Sequence, residues 1–284
     1  MDQHTDPARH DARPQDGRST AARPGVVFVH GMRTSSAIWS SQVDHVRRAG
    51  HEAVAVDLPA HGARRAERFS MGRAFEVIDG AASSFRPGTP VVVVGLSLGG
   101  YTSLAWAARR TRAAPDGDAP PLAGVVAAAC TADPRGKPVA LFRDAARLAV
   151  SGTTAARRAA LRTWRAPLGW VRSRPGGTDV PAVHTGAPGG VVDEAYRPGW
   201  DVVTDALTGL AGRSSVANLR AIRAPVWLVN GARDRMRLEE SRHLAAAARG
   251  ALVVVPDAGH DVNTEAPAAF NHTLSRALDE FARR

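Results

Sequence analysis

Residues 91–100 read VVVVGLSLGG. Four β-branched residues in a row, with no polar alternation, describe a strand covered on both faces. The ending is not what a buried strand needs. Gly95, Ser97, Gly99 and Gly100 ask for a tight backbone and one hydroxyl. In open α/β sheets, ligands sit beyond the carboxyl ends of the strands, and Ser97 stands there. Gly95-Leu96-Ser97-Leu98-Gly99 has the spacing G-x-S-x-G, in which a strand turns sharply into a helix with the serine at the apex. The glycines give clearance where a Cβ would collide. The Leu98 N–H falls at a helix N-terminus, where free N–H groups favour negative charge. Taken alone, the pattern also arises by chance in glycine-rich turns. A strand before it and a helix after it favour the nucleophile.

Working outward, similar apolar runs recur: VVFVH at 26–30, AVAVD at 53–57, GVVAAA at 124–129, PVWLVN at 225–230 and ALVVVP at 251–256. Helical stretches lie between them: Ile38–Ala49, Phe69–Phe85, Tyr101–Arg112, Leu238–Arg249 and Pro267–Arg284. Strand and helix in alternation predict a doubly wound, mostly parallel α/β sheet. The alternation breaks near Thr131 and resumes near Ala217. Between them, a helical Arg143–Arg165, a Gly/Pro-dense stretch and a helix near Val202–Leu210 read as an insertion over the sheet.

A serine hydroxyl is a poor nucleophile without a base, and the base needs an acid to orient it. The elbow therefore predicts an acid and then a histidine, each just past a strand. Asp234 follows PVWLVN in the turn Gly231-Ala232-Arg233-Asp234, and His260 follows ALVVVP in Asp257-Ala258-Gly259-His260. Asp133 and Asp57 also follow strands and compete as acids; the placement of Asp234 is the better one. Asp261 adjoins His260, and adjacent side chains point apart. His45, His51 and His243 read as solvent-facing helix residues, and His4, His10 and His272 have no strand-end position. A second oxyanion donor is expected from the loop after the first core strand, where His30-Gly31-Met32 stands, so the donors are the N–H groups of Met32 and Leu98. The His30 ring reads as a structural support for that loop.

Composition excludes several classes. The chain has 284 residues and a formal charge of +10, but Lys137 is the only lysine among 37 basic residues. The arginines are scattered without interleaved aromatics, so no nucleic-acid partner is expected. No apolar window is long enough for a membrane span. Residues 1–23 are polar, lack a secretory apolar region and read as a disordered tail. The cytoplasm is the expected location. Cys130 is the single cysteine, in an apolar run, and reads as a buried small side chain.

VVFVHGM, VDLPAHG (56–62), VVVVGLSLGG, VNGARD (229–234) and PDAGHDVNTEAP (256–267) stand in order. Together they resemble the α/β-hydrolase superfamily. The resemblance covers residues 24–133 and 216–284. AGHEAVAVDLPAHG is similar to the esterase and C–C hydrolase branches, including the plant methylesterase and hydroxynitrile lyase group. The residues before VVFVH are polar, so the family's leading antiparallel strands are not expected here and a sheet reduced to about six strands is. No lysine follows His260, which argues against cyanohydrin chemistry. A serine elbow argues against dehalogenase or epoxide hydrolase activity.

By this resemblance, residues 134–215 form a mainly helical cap. Trp164, Trp170, His184, Tyr196 and Trp200 are its candidate substrate contacts. The resemblance implies a serine hydrolase acting on a small, partly apolar ester-like substrate, with no metal and no organic cofactor. A thioesterase or acyltransferase, a C–C hydrolase or lyase, cofactor-free oxidation or perhydrolysis, and a non-catalytic ligand receptor are the alternatives.

Overall fold

The computed structural model describes residues 23–113, 120–135 and 199–283. The expected tail up to Ala22, most of the expected cap, and Trp164, Trp170, His184 and Tyr196 lie outside the described residues. Trp200 opens a helix, but its side chain also lies outside them.

In chain order the elements are β1 (Gly25–Val29), a 3-10 turn (Ser36–Trp39) running into α1 (Ser40–Arg48), β2 (Ala53–Val56), a second 3-10 turn (Gly62–Arg64) and α2 (Met71–Ser83). Next come β3 (Val91–Leu96), α3 (Leu98–Arg112), β4 (Leu122–Ala128), α4 (Trp200–Leu210) and α5 (Ser215–Ala221). The chain finishes with β5 (Val226–Gly231), α6 (Glu240–Ala246), β6 (Gly250–Val255), α7 (Val262–Glu265) and α8 (Pro267–Ala282). Each of the six expected strands is present within a residue or two of its expected limits.

The six strands form one sheet in the order β2-β1-β3-β4-β5-β6, and every neighbouring pair is parallel. From β1 the chain steps outward to β2, then returns past β1 to β3 and proceeds the other way. The order thus reverses between β1 and β3, and it is beyond the carboxyl ends of strands at such a reversal that open α/β sheets bind ligands. Val29 pairs with Gly95, so the two strands finish side by side.

Alternation along the strands divides the core into two layers. Val26, Phe28, Val92 and Val94 face one side with Trp39, Phe270, Leu274, Leu278 and Phe281. Val27, Val29, Val91 and Val93 face the other with Ile78, Leu104, Trp106, Leu219 and Leu228. Phe28 and Trp39 pack with ring centroids 5.2 Å apart, and Trp39 and Phe270 at 5.8 Å. Each large side chain buried this way stabilises the fold by roughly 1.5–3 kcal/mol.

Local signals set the helix limits. Ser70 Oγ accepts the Arg73 N–H at 3.2 Å, so α2 starts at Met71 and not at Phe69. Ser214 Oγ caps α5 by accepting the Ala217 N–H at 3.0 Å. Ser214 also donates its hydroxyl to Asp133 Oδ2 at 2.8 Å, and the Ser215 N–H donates to Asp133 Oδ1 at 2.9 Å. One buried carboxylate just past β4 therefore holds the start of α5, where the chain comes back to the sheet. Among the described residues no helix is long and apolar enough to cross a membrane.

Candidate active site

Ser97 stands on the turn from β3 into α3. Ser97 has φ 52° and ψ −114°, a backbone conformation that a side chain adopts only under constraint. Such strain costs about 1–3 kcal/mol and persists where the surroundings over-determine it. Two close approaches do that. A Cβ on Gly95 would lie 2.3 Å from the Gly99 carbonyl oxygen, and one on Gly99 would lie 2.1 Å from the Val29 oxygen. The Ser97 N–H donates to Ala128 O at 2.8 Å, and Ser97 O accepts the Tyr101 N–H at 3.0 Å. The elbow is thereby fixed to β4 on one side and to its own helix on the other.

The structure brings Ser97, His260 and Asp234 together. His260 Nε2 lies 2.8 Å from Ser97 Oγ. His260 Nδ1 lies 3.1 Å from both Asp234 carboxylate oxygens. A carboxylate only accepts, so Nδ1 carries the proton and Nε2 is left to accept from the serine hydroxyl. The Asp234 side chain is 1% exposed and that of His260 18%. The Met236 N–H donates to Asp234 Oδ1 at 2.8 Å and fixes the carboxylate. Burial opposes charge on His260, but the hydrogen bond and charge of Asp234, with the charges of Asp261 and Glu265, outweigh it. The imidazole pKa is raised above its ordinary 6.5.

The turns that carry the acid and the histidine are joined through their backbones. The Ala232 N–H donates to Val255 O at 2.8 Å, and the Arg233 N–H donates to Ala258 O at 2.8 Å. Asp133 lies elsewhere: Ser214, Ser215 and Arg242 surround its carboxylate. Asp57 accepts the Ser36 N–H at 2.7 Å and the Ala63 N–H at 2.9 Å, which joins two loops.

Leu98 is the first residue of α3, so its N–H has no acceptor within the helix. Gly31 comes close to Ser97: a Cβ on it would lie 3.6 Å from Ser97 Cβ. Met32 follows directly and is half-buried against the core. The His30 ring holds this loop, as its sequence position implies. Its Nδ1–H donates to Gly31 O at 2.7 Å, and Nε2 accepts the Leu58 N–H at 2.9 Å. Burial, with the neighbouring His61, lowers its pKa to about 4, so the ring is neutral.

His61 is a support that the sequence reading missed. Its Nδ1–H donates to Pro59 O at 2.9 Å, its Nε2 accepts the Arg33 N–H at 3.2 Å, and its ring packs 4.9 Å from that of His30. The available signal was its place in VDLPAHG, in the loop after the strand beside β1. The solvent-facing reading of three other histidines is corrected. His243 is fully buried between Glu239 O and Ser215 Oγ. His45 and His51 are half-buried, against Ser275 Oγ and Pro24 O. Each ring is covered by a neighbouring element and finds a polar partner there. Among the described residues, no group of three or more His, Cys, Asp and Glu side chains is placed to hold a metal ion.

The sequence model of the alpha/beta hydrolase family matches residues 26–273. The chain belongs to that family. Its solved neighbours share the fold. The enol-lactonase from Burkholderia xenovorans LB400 superposes with a TM-score of 0.62 at 19% identity, covering 90% of this chain and 91% of that one. MenH from S. aureus gives 0.63 at 14% identity, over 92% and 95% of the two chains. Among curated proteins, "Probable esterase PIR7A" of Oryza sativa subsp. indica is 41% identical over 88 residues, 30% of this chain and 33% of that protein. "Esterase PIR7B" of Oryza sativa subsp. japonica is 33% identical over 88 residues, with the same coverage. The match thus spans about a third of the length of these relatives.

Proposed function

We propose that this α/β hydrolase is a serine esterase. It cleaves a carboxylic ester, or a related acyl bond, of a small and partly apolar substrate through an acyl-enzyme on Ser97. The observation that carries the reading is the continuous hydrogen-bond chain from Ser97 Oγ through His260 to Asp234. The names of the rice relatives support an ester as the scissile group. A lactone is a cyclic ester, so the enol-lactonase neighbour adds lactones to the compounds worth testing.

In this mechanism Ser97 Oγ attacks the carbonyl carbon as its proton passes to His260 Nε2. Asp234 holds the ring in the accepting tautomer and stabilises the imidazolium. The N–H groups of Leu98 and Met32 receive the oxyanion, each donor contributing about 3–4 kcal/mol to the barrier reduction. The tetrahedral intermediate collapses, the C–O bond to the leaving group breaks, and His260 Nε2–H protonates the departing alkoxide. Water then adds to the acyl carbon with its proton going to His260, and collapse releases the acid and restores Ser97.

The test is turnover of p-nitrophenyl acetate and butyrate by the wild type and Ser97→Ala. The variant should lose at least about 10⁴-fold in kcat. Equal rates in the two proteins would remove Ser97 from the mechanism.

A further inference from the structure

His260 sits at the tip of a turn, and something must fix that turn for Nε2 to meet Ser97. The Gly259 N–H donates to Glu265 Oε2 at 2.8 Å, and the Asp261 N–H donates to Glu265 Oε1 at 3.2 Å. One carboxylate thus grips the amides on both sides of His260. The motif resembles a capping box stretched by one residue: Asp261 is the N-cap of α7, and a glutamate in the first turn reaches back to its backbone N–H. α7 is a single turn, and Pro267 opens α8 immediately after it, which anchors the glutamate's backbone to the long helix. A Cβ on Gly259 would lie 3.0 Å from both carboxylate oxygens, so a side chain there would press on the grip.

We infer that Glu265 is a positioning residue for His260, setting the place of the imidazole through its two flanking amides. Its charge also acts on that ring. The inference rests on the serine-esterase reading. Both effects act through His260, since the Glu265 oxygens are occupied by backbone amides. The charge effect has a defined setting. Asp234 faces His260 from the loop after β5; Arg237, Glu240, Tyr101 of α3 and Cys130 after β4 are within electrostatic reach of Asp234; Asp261 and Glu265 belong to the histidine's own turn. Charge on Glu265 raises the imidazole pKa, so its removal lowers it.

Three substitutions separate position from charge. Glu265→Ala removes both, and kcat should fall by about 10–100-fold with KM nearly unchanged, as for a misplaced catalytic group. Glu265→Asp keeps the charge but shortens the reach, so kcat should fall while the acid limb of the pH profile stays in place. Glu265→Gln keeps the size without the charge, and its acid limb should move to lower pH. Imidazole titration by NMR, in Ser97→Ala with and without Glu265→Gln, reads the same shift without turnover and in the more conservative variant. If Ser97→Ala is inactive and the Glu265 variants match wild type in kcat and acid limb, the inference fails and the esterase reading stands. If Ser97→Ala keeps full activity, the esterase reading fails. An unshifted imidazole in Glu265→Gln overturns the inference in either case.

Discussion

Replacing Asp234 by Asn leaves the side-chain shape intact and exchanges one oxygen for an amino group. The Met236 N–H donates to Oδ1 at 2.8 Å, so the new amide keeps its oxygen at that position. The amino group then takes the Oδ2 position, 3.1 Å from His260 Nδ1. The retained oxygen is also 3.1 Å from Nδ1, but it is shared with the Met236 N–H, and the new donor competes with it and favours the tautomer with the ring proton on Nε2. Nε2 would then aim an N–H at Ser97 Oγ, 2.8 Å away, and could not take the hydroxyl proton. The expected loss in kcat is about 10⁴-fold, or about 5 kcal/mol of barrier, with little change in KM. Asp133→Asn is the matched control, with the same change of charge on a second buried carboxylate. Asp133 holds Ser214 and Ser215 and does not touch His260, so the cost should fall on stability, about 1–3 kcal/mol, with activity largely retained. The assay is p-nitrophenolate release, with urea unfolding of the same preparations. Activity of Asp234→Asn within about tenfold of wild type would refute the tautomer argument. A collapse of activity in Asp133→Asn alone would show that the acid was misassigned.

The pH profile has a defined sign. In the proposed mechanism His260 acts as base only when neutral, and its folded pKa lies above 6.5, so kcat/KM should fall as pH drops through a midpoint above that value. A midpoint below 6.5 in a pH–rate series would contradict the raised pKa. Gly99→Ala and Gly80→Ala should move stability in opposite directions. The first puts a Cβ 2.1 Å from a backbone oxygen of β1, so β1 and α3 must part, at a cost of about 3 kcal/mol or more. The second sits inside α2 with nothing within 4 Å, and should add roughly 0.5–1 kcal/mol. Thermal unfolding of the pair checks both signs.

The sheet could be read from the sequence because β1, β3 and β5 are buried on both faces and the edge strands β2 and β6, though only partly covered, still carry short apolar runs. The meeting of Ser97, Asp234 and His260 was legible for a related reason: parallel strands deliver their carboxyl ends to one edge, so a residue just past a strand has a known destination. What escaped the reading depends on contacts that follow no period. His61 acts by accepting the Arg33 N–H from another loop, and Glu265 by accepting two amides from its own turn. His243 reads as exposed on a helix drawn from 238 to 249, but α6 spans only Glu240–Ala246, and its ring lies under the Ser215 hydroxyl. The start of α3 at Leu98 in place of Tyr101 has a specific cause as well. The strained Ser97 is itself the N-cap, which places helical geometry directly after the elbow.

The Asp133 carboxylate has an architectural consequence. It fastens the stretch that leaves β4 to the stretch that leads into β5, and the neighbouring Asp133 N–H is itself taken by Glu239 Oε2. The two margins are thus clamped by the core's own residues. Doubling the length of a connecting segment adds only about 0.6 kcal/mol of closure entropy. With its margins clamped, the chain between Asp133 and Ser214 works like a cassette in a socket. A change in length between those margins leaves β4, β5 and the Asp234 turn in register, whereas Val202, Ala206 and Leu210 of α4 are tied to the core. Ser97, Asp234 and His260 all lie outside the cassette, so the hydrogen-bond chain between them is built by the sheet and its own turns.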